Sequence, residues 1–292
     1  MKPELIENKQ DRPGFDRFIG SWVCPGDPVF VIDVGPSRSM TKLFSSLSAK
    51  GIRRVDFVLL THIHLDHAGG LAEFLDHFPM ASAVCHSKAV SHLVDPSKLW
   101  LGSRKTLGEL ADSYGPIRPV KRERLIPHPE ARVEGIDIIE TPGHAPHHLS
   151  YIIRENLFAG EAGGIYLTGD SWEYLRPATP PVFFLKEFIG SIDRLLSVRD
   201  LPMCYAHFGR AESSHRMLKR ERVQLLLWEK LIGEEVTKGD HRLTERCMER
   251  LWREDSELKA FNAMSSADQK REKFFMGNSI KGYLEFLQRS GP

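Results

Sequence analysis

The sequence predicts a mixed α/β fold followed by an all-helical C-terminal part, on three observations. Short β-branched apolar runs alternate with helical segments in the first third of the chain. A second series of strands begins near residue 133, and from Glu212 onward only helical periodicity remains.

Taken in order, "VFVIDVG" (29–35) is a buried strand closed by Gly-Pro. "SMTKLFSSLSAKG" then spaces Met40, Leu43, Phe44 and Leu47 as one helical face, with Ser at its start and Gly51 at its stop. "VDFVLLT" (55–61) is the next strand, so strand, helix and strand form a parallel crossover unit. A helix over "AGGLAEFLDHF" (68–78), closed by Pro79, and a short strand at "ASAVCH" follow. From Ser87 to Pro129 helical fragments, including "TLGELADSYG", alternate with Gly and Pro and form a cover over part of the fold.

The second series comprises "VEGIDIIETPG" (133–143), "HLSYIIR" (148–154) and "GGIYLTGDS" (163–171). A periodic helix at 184–200 and a strand at "LPMCYAHFG" (201–209) complete it. The expected division is a catalytic domain at 1–209 and a helical extension at 210–292.

Composition bounds the function. A chain of 292 residues buries about three quarters of its unfolded surface, and 40 Lys plus Arg against 39 Asp plus Glu leave no global field for a polyanion. Nucleic acid and membrane are therefore not expected as partners, and a small-molecule substrate is; a homodimer is compatible with the sequence. The start "MKPELIENKQDRPGF" lacks an apolar leader segment, and Cys24, Cys85, Cys204 and Cys247 are far apart. Both features fit a cytoplasmic protein with reduced thiols.

Chemistry concentrates in "LLTHIHLDHAGG" (59–70), which holds three of the 13 histidines within six positions. His62 and His64 follow a strand directly, and residues two apart in extended chain point the same way, so the pair can grip one ion. Asp66 and His67, on the turn into the next helix, are better placed for a second. His144 after "IIETPG", Asp170 after "IYLTG" and His207 after "PMCYA" share the same context, a strand end, where a sheet presents side chains from a loop.

Together "THIHLDH", "TPGHAPHH", "LTGDS" and "AHFG" resemble the metallo-β-lactamase superfamily, especially its glyoxalase II-like hydrolase branch, over roughly residues 20–210. The resemblance implies an αββα sandwich with a dinuclear centre at one edge: His62, His64 and His144 on the first metal, Asp66, His67 and His207 on the second, and Asp170 bridging them. Nitrogen and oxygen donors without thiolate favour Zn²⁺ and admit Fe or Mn. It further implies a metal-dependent hydrolase in which a bridging hydroxide attacks an ester-like bond, thioester or lactone ahead of β-lactam. Asp66 and Asp170 are the catalytic carboxylates, with proton shuttling a secondary role for Asp66.

Around that set, His148 is expected to orient rather than ligate, and Asp33 to stand behind the site. Trp172 and Tyr174 are candidates for the pocket wall, although packing aromatics have the same signature. The basic run 215–222 offers Arg216, Lys219 or Arg220 as an anion anchor, against the plainer reading of a solvated helix face. Two alternatives share the scaffold: a mononuclear iron persulfide dioxygenase, which the complete second ligand set disfavours, and an RNA-processing nuclease, which the neutral charge balance disfavours. A flavin-linked diiron reductase is disfavoured too, because its pattern has Glu where this chain has His64.

Overall fold

Two sheets stack face to face in this computed structural model, which describes residues 2–290. The first runs β1 (Glu4–Glu7), β2 (Gly20–Cys24), β3 (Phe30–Ile32), β4 (Phe57–Leu59), β5 (Ser82–Cys85) and β6 (Leu125–Pro127), adjacent in that order. From β3 to β6 the strands are parallel, as the crossover reading requires. Their apolar residues alternate in facing. Val23, Val31, Val58 and Ala83 turn to the helical layer, whereas Trp22, Phe30, Ile32, Leu59 and Val84 turn to the second sheet.

Helices α1 (Met40–Ala49), α2 (Leu65–Ala68) and α3 (Leu71–His77) connect these strands, and α4 (Val90–Val94), α5 (Ser97–Leu107) and α6 (Glu109–Tyr114) form the cover. The segment "TLGELADSYG" is not one helix. Gly108 at φ +56° breaks it into the end of α5 and the whole of α6.

The second sheet has the order β13-β12-β9-β8-β7, with β7 (Ile136–Glu140), β8 (Leu149–Ile153), β9 (Asn156–Gly160), β12 (Met203–Tyr205) and β13 (Arg210–Ala211). Leu149, Tyr151, Phe158 and Cys204 meet the first sheet. The Trp22 indole donates to the Tyr205 carbonyl at 2.7 Å and the Tyr151 hydroxyl to the Leu60 carbonyl at 2.7 Å, tying the sheets at their common edge. β10 (Ile165–Thr168) and β11 (Glu173–Arg176) pair only with each other, as a separate ribbon.

Helix α7 (Leu185–Leu196) follows the ribbon, and α8 (Ser214–Val236), α9 (Leu243–Glu254) and α10 (Ser266–Ser290) complete the chain. After β13 the described residues up to 290 form helices and their connections, and Met217, Trp228, Leu251, Met276 and Tyr283 belong to the same continuous core as the sheets. All four cysteines are buried free thiols. Among the described residues no helix is long and apolar enough to cross a membrane.

Candidate metal centre

Three strand ends of the two sheets converge on one edge. β4 delivers His62 and His64, the turn after β7 delivers His144, and β12 delivers His207, while the first turn of α2 carries Asp66 and His67. His62 Nε2 and His144 Nε2 each lie 3.0 Å from His64 Nδ1. Across from them, Asp66 Oδ2 is 3.5 Å from His207 Nε2 and 3.9 Å from His67 Nε2.

The carboxylate between these groups is Glu161, not Asp170. Glu161 Oε2 lies 2.6 Å from His144 Nε2 and 3.2 Å from His62 Nε2, and its Oε1 lies 3.4 Å from His207 Nε2. Asp170 is exposed at the tip of the turn joining β10 to β11, where the Gly169 amide donates to the Trp172 carbonyl at 3.0 Å. The expected bridging and catalytic role of Asp170 is therefore corrected. Its strand belongs to the separate ribbon, whereas β9 runs parallel to β12 and carries Gly160-Glu161 to the edge where His207 stands.

Glu161 is held by its own backbone. Its amide donates to His148 Nε2 at 3.1 Å, and the other ring nitrogen of His148 donates to the Thr141 hydroxyl at 2.8 Å. His148 thus orients, as expected, and it orients the missed carboxylate. Gly160 adopts φ +56°, and a Cβ there would stand 2.5 Å from His148 Nε2 and 2.9 Å from Thr61 Cβ, so no other residue lets the chain turn here.

The histidine tautomers are fixed from behind. Nδ1–H donates to the Ala178 carbonyl at 2.6 Å in His144, to the Phe18 carbonyl at 2.8 Å in His207, to Asp33 Oδ2 at 2.9 Å in His67, and to Thr61 Oγ1 at 3.1 Å in His62. In the neutral ring each leaves Nε2 as a lone pair aimed inward, and in His67 a proton held there by Asp66 and Asp33 would have to leave before Nε2 could bind an ion. Asp33, as expected, stands behind the site, and it also accepts the Thr61 amide at 2.8 Å and hydroxyl at 2.7 Å.

Electrostatics agree with a cation-binding cage. Burial, then His144, holds the His64 imidazole at about 4, and burial with His67 and His64 holds His62 well below the usual range. Burial alone would raise the Asp66 carboxyl, yet His67 and His207 keep it at about 2. Burial would likewise lower His67, but Asp66 and Asp33 push it up to about 9. Despite burial, Glu161 is held well below the carboxylate range by His144 and His62.

The fit to divalent ions rests on orphaned atoms. His67 Nε2 and Glu161 Oε2 are buried and have no hydrogen-bond partner, although acceptors and lone pairs crowd around both. Buried polar groups of this kind are normally paired. Seven nitrogen and oxygen donors in two sets, His62, His64, His144 with Glu161 and Asp66, His67 with His207, supply what such ions need.

A third cluster, His86, His128 and Glu140, has the residue types but not the chemistry. Here each Nδ1 accepts a backbone amide, Lys88 onto His86 at 3.0 Å and Ser87 onto His128 at 3.2 Å. The Nε2 atoms must then carry the protons, and His128 donates its own to Glu140 at 2.9 Å. No lone pair is left facing inward.

A cavity of about 500 Å³ opens above the cage, bounded by α5, the 179–184 segment and α10. Trp172 and Tyr174 do not line it: Tyr174 is fully buried, with its hydroxyl 3.7 Å from the Met276 sulfur. Arg216 and Arg220 of the basic run reach Glu173, and Arg220 also pairs with Glu257, so they are not its anion anchor.

The sequence profile of the metallo-beta-lactamase superfamily matches residues 21–207. A metallo-beta-lactamase fold-containing protein of Sulfurisphaera tokodaii is 30% identical over 223 residues, 70% of this chain and 79% of that protein. An atrochrysone carboxyl ACP thioesterase of Aspergillus fumigatus is 26% identical, with 82% of this chain and 70% of that protein covered. A hydroxyacylglutathione hydrolase of Aeromonas hydrophila is 25% identical over 45% of this chain and 41% of its own length. The crystal structure of an archaeal superfamily protein from Sulfolobus tokodaii superposes with a TM-score of 0.69 at 22% identity, covering 97% of this chain and 98% of the other. The chain belongs to the metallo-beta-lactamase superfamily.

Proposed function

We propose that the protein is a dinuclear metal-dependent hydrolase of an ester-like bond, with thioesters and lactones as its first substrate classes and Zn²⁺ as its first metal. The observation that carries this reading is the position of Glu161, a single buried carboxylate shared by two donor sets at the floor of a cavity. Ions held by those donors would lower the pKa of a coordinated water from 15.7 to about 7 and polarise an acyl oxygen.

The chain's own residues do the rest. His62, His64 and His144 on one side and Asp66, His67 and His207 on the other would hold the ions, with Glu161 between the two sets, and Asp33, Thr61, Ala178 and Phe18 stop the imidazoles from turning. Asp66 stays ionised across neutral pH, so its first task is to hold charge; it takes up a proton only weakly. The hydrolase and thioesterase relatives support this reaction class.

The test is elemental analysis of the purified protein with a panel of ester, thioester, lactone and phosphodiester substrates, repeated on His64→Ala and Glu161→Ala. Loss of both bound metal and turnover in each variant is expected. One iron per chain with oxygen uptake on a thiol persulfide, or cleavage of the phosphodiester alone, would overturn the reading.

A further inference from the structure

The cavity above the cage is two-toned, and the division names its occupant. Its floor is the imidazole and carboxylate cage. Its walls are apolar: Leu99 and Leu107 from α5, Pro181, Val182 and Phe184 from the segment before α7, and Phe275 from α10. Val182 is 53% exposed at the rim. Helix α5 has no fully buried residue: Leu99, Trp100 and Leu107 are part-buried against the core, and Leu99 and Leu107 turn their remaining surface to the cavity. Exposed apolar surface beside a polar site marks a binding surface.

Charge points the same way. Arg176 lines the cavity, but its Nε donates to the buried Glu272 at 2.5 Å, which neutralises it. Lys98, exposed at the rim, is the remaining cation of the lining. The other polar side chains of the upper wall, Ser103, Thr106, Asn278 and Ser279, are uncharged. A substrate whose non-reacting part carried two carboxylates would leave at least one of them against Leu and Phe without a partner, and such desolvation is costly.

We propose that the substrate is an acyl ester or thioester with an uncharged, apolar acyl chain, laid along the α5, 179–184 and α10 walls with its carbonyl at the cage. This rests on the hydrolase reading and narrows it. The bond broken is acyl carbon to oxygen or sulfur; water supplies the hydroxyl to the acyl carbon and the proton to the leaving group. The products are an alcohol or thiol and a fatty acid, which ionises to its carboxylate at neutral pH by releasing one proton to solvent.

The test uses the full-length, Zn²⁺-loaded protein with two readouts. In the first, kcat/KM is measured for a series of thioesters and p-nitrophenyl esters from acetyl to decanoyl. Each methylene that enters the cavity raises kcat/KM about threefold to fourfold. In the second, calorimetric binding of the matching carboxylates, acetate to decanoate, tightens with chain length, with an increasingly negative heat-capacity change. The slope flattens in both readouts in Val182→Glu, at a position 53% exposed, and flattens further when Leu99→Glu is added, with an unchanged far-UV circular dichroism spectrum as the check that each variant is folded. If no ester is turned over while carboxylate binding still climbs with chain length, the hydrolase reading fails and the proposed occupant stands. Turnover and binding both independent of chain length, or an S-acyl glutathione turned over tenfold faster than a neutral thioester of the same acyl group, overturns the proposal and leaves the hydrolase.

Discussion

Replacing Glu161 by Gln keeps the side chain's shape and removes its charge. Glu161 is only 6% exposed and stands within 3.9 Å of nitrogen atoms from His62, His67, His144 and His207. Removing one partner from a buried charge constellation costs about 3–5 kcal/mol. At about 1.4 kcal/mol per decade, that is a loss of roughly 100- to 4,000-fold in metal affinity. The assay is equilibrium dialysis against Zn²⁺ buffered by graded chelator, with elemental analysis of the retained metal. Asp170→Asn is the comparator, and from its exposed turn it should bind metal as the wild type does. An Asp170→Asn protein stripped of metal, or a Glu161→Gln protein that retains wild-type affinity, would refute the placement of the shared carboxylate.

Three further outcomes follow from the same geometry. Gly160→Ala forces a left-handed residue that costs about 1–2 kcal/mol and drives a Cβ into His148 and Thr61, so the melting temperature falls by at least about 2 °C and metal affinity drops, by calorimetry and dialysis. Arg271→Leu removes the guanidinium that stacks 4.1 Å from the Phe18 ring centroid and leaves the buried Glu272 with Arg176 alone; about 3 kcal/mol of stability is lost in denaturant titration, and metal retention weakens because Phe18 holds His207. Glu221 is buried on α8 with both carboxyl oxygens unpartnered; burial, then Asp255 with Glu257 against the opposing Arg176, raises its pKa well above the usual value. The folded chain then binds a proton that the unfolded chain gives up above about pH 4.5, so stability falls as pH rises through that window; Glu221→Gln should melt higher than wild type at pH 7 and lose the gap at pH 4.

The histidines of the cage are legible in the sequence because each is advertised locally, by a strand shortly before it and a motif around it. Glu161 was not, for two physical reasons. The chain contains two segments of the form strand, Gly, acid, "LFAGE" (157–161) and "YLTGD" (166–170), and only the pairing of β9 with β12 distinguishes them. That pairing joins residues more than forty positions apart, and local pattern carries no record of it. The turn before β9 also lacks a signal. Arg154 and Glu155 both sit at positive φ, +47° and +64°, in a two-residue hairpin turn that ordinarily takes Asn-Gly. Arg154 is held there by donating to the carbonyls of Pro25 and Pro28, which sequence proximity does not reveal. The segment 87–129 reads as a cover from its Gly and Pro content, but α5 has no fully buried residue, so its periodicity does not show which face looks at the cavity.

His207 is steadied by the Phe18 carbonyl, and Phe18 in turn lies under Arg271 of α10, whose Nη1 also donates to the Gly14 carbonyl. The segment around Gly14 and Phe18 and helix α10 therefore meet behind the His207 ring. A nascent chain still tethered to the ribosome has made every histidine of the cage long before it has made the helix that braces the last of them. Firm metal retention should accordingly wait until α10 has packed, and fragments ending near residue 210 should capture ions only loosely.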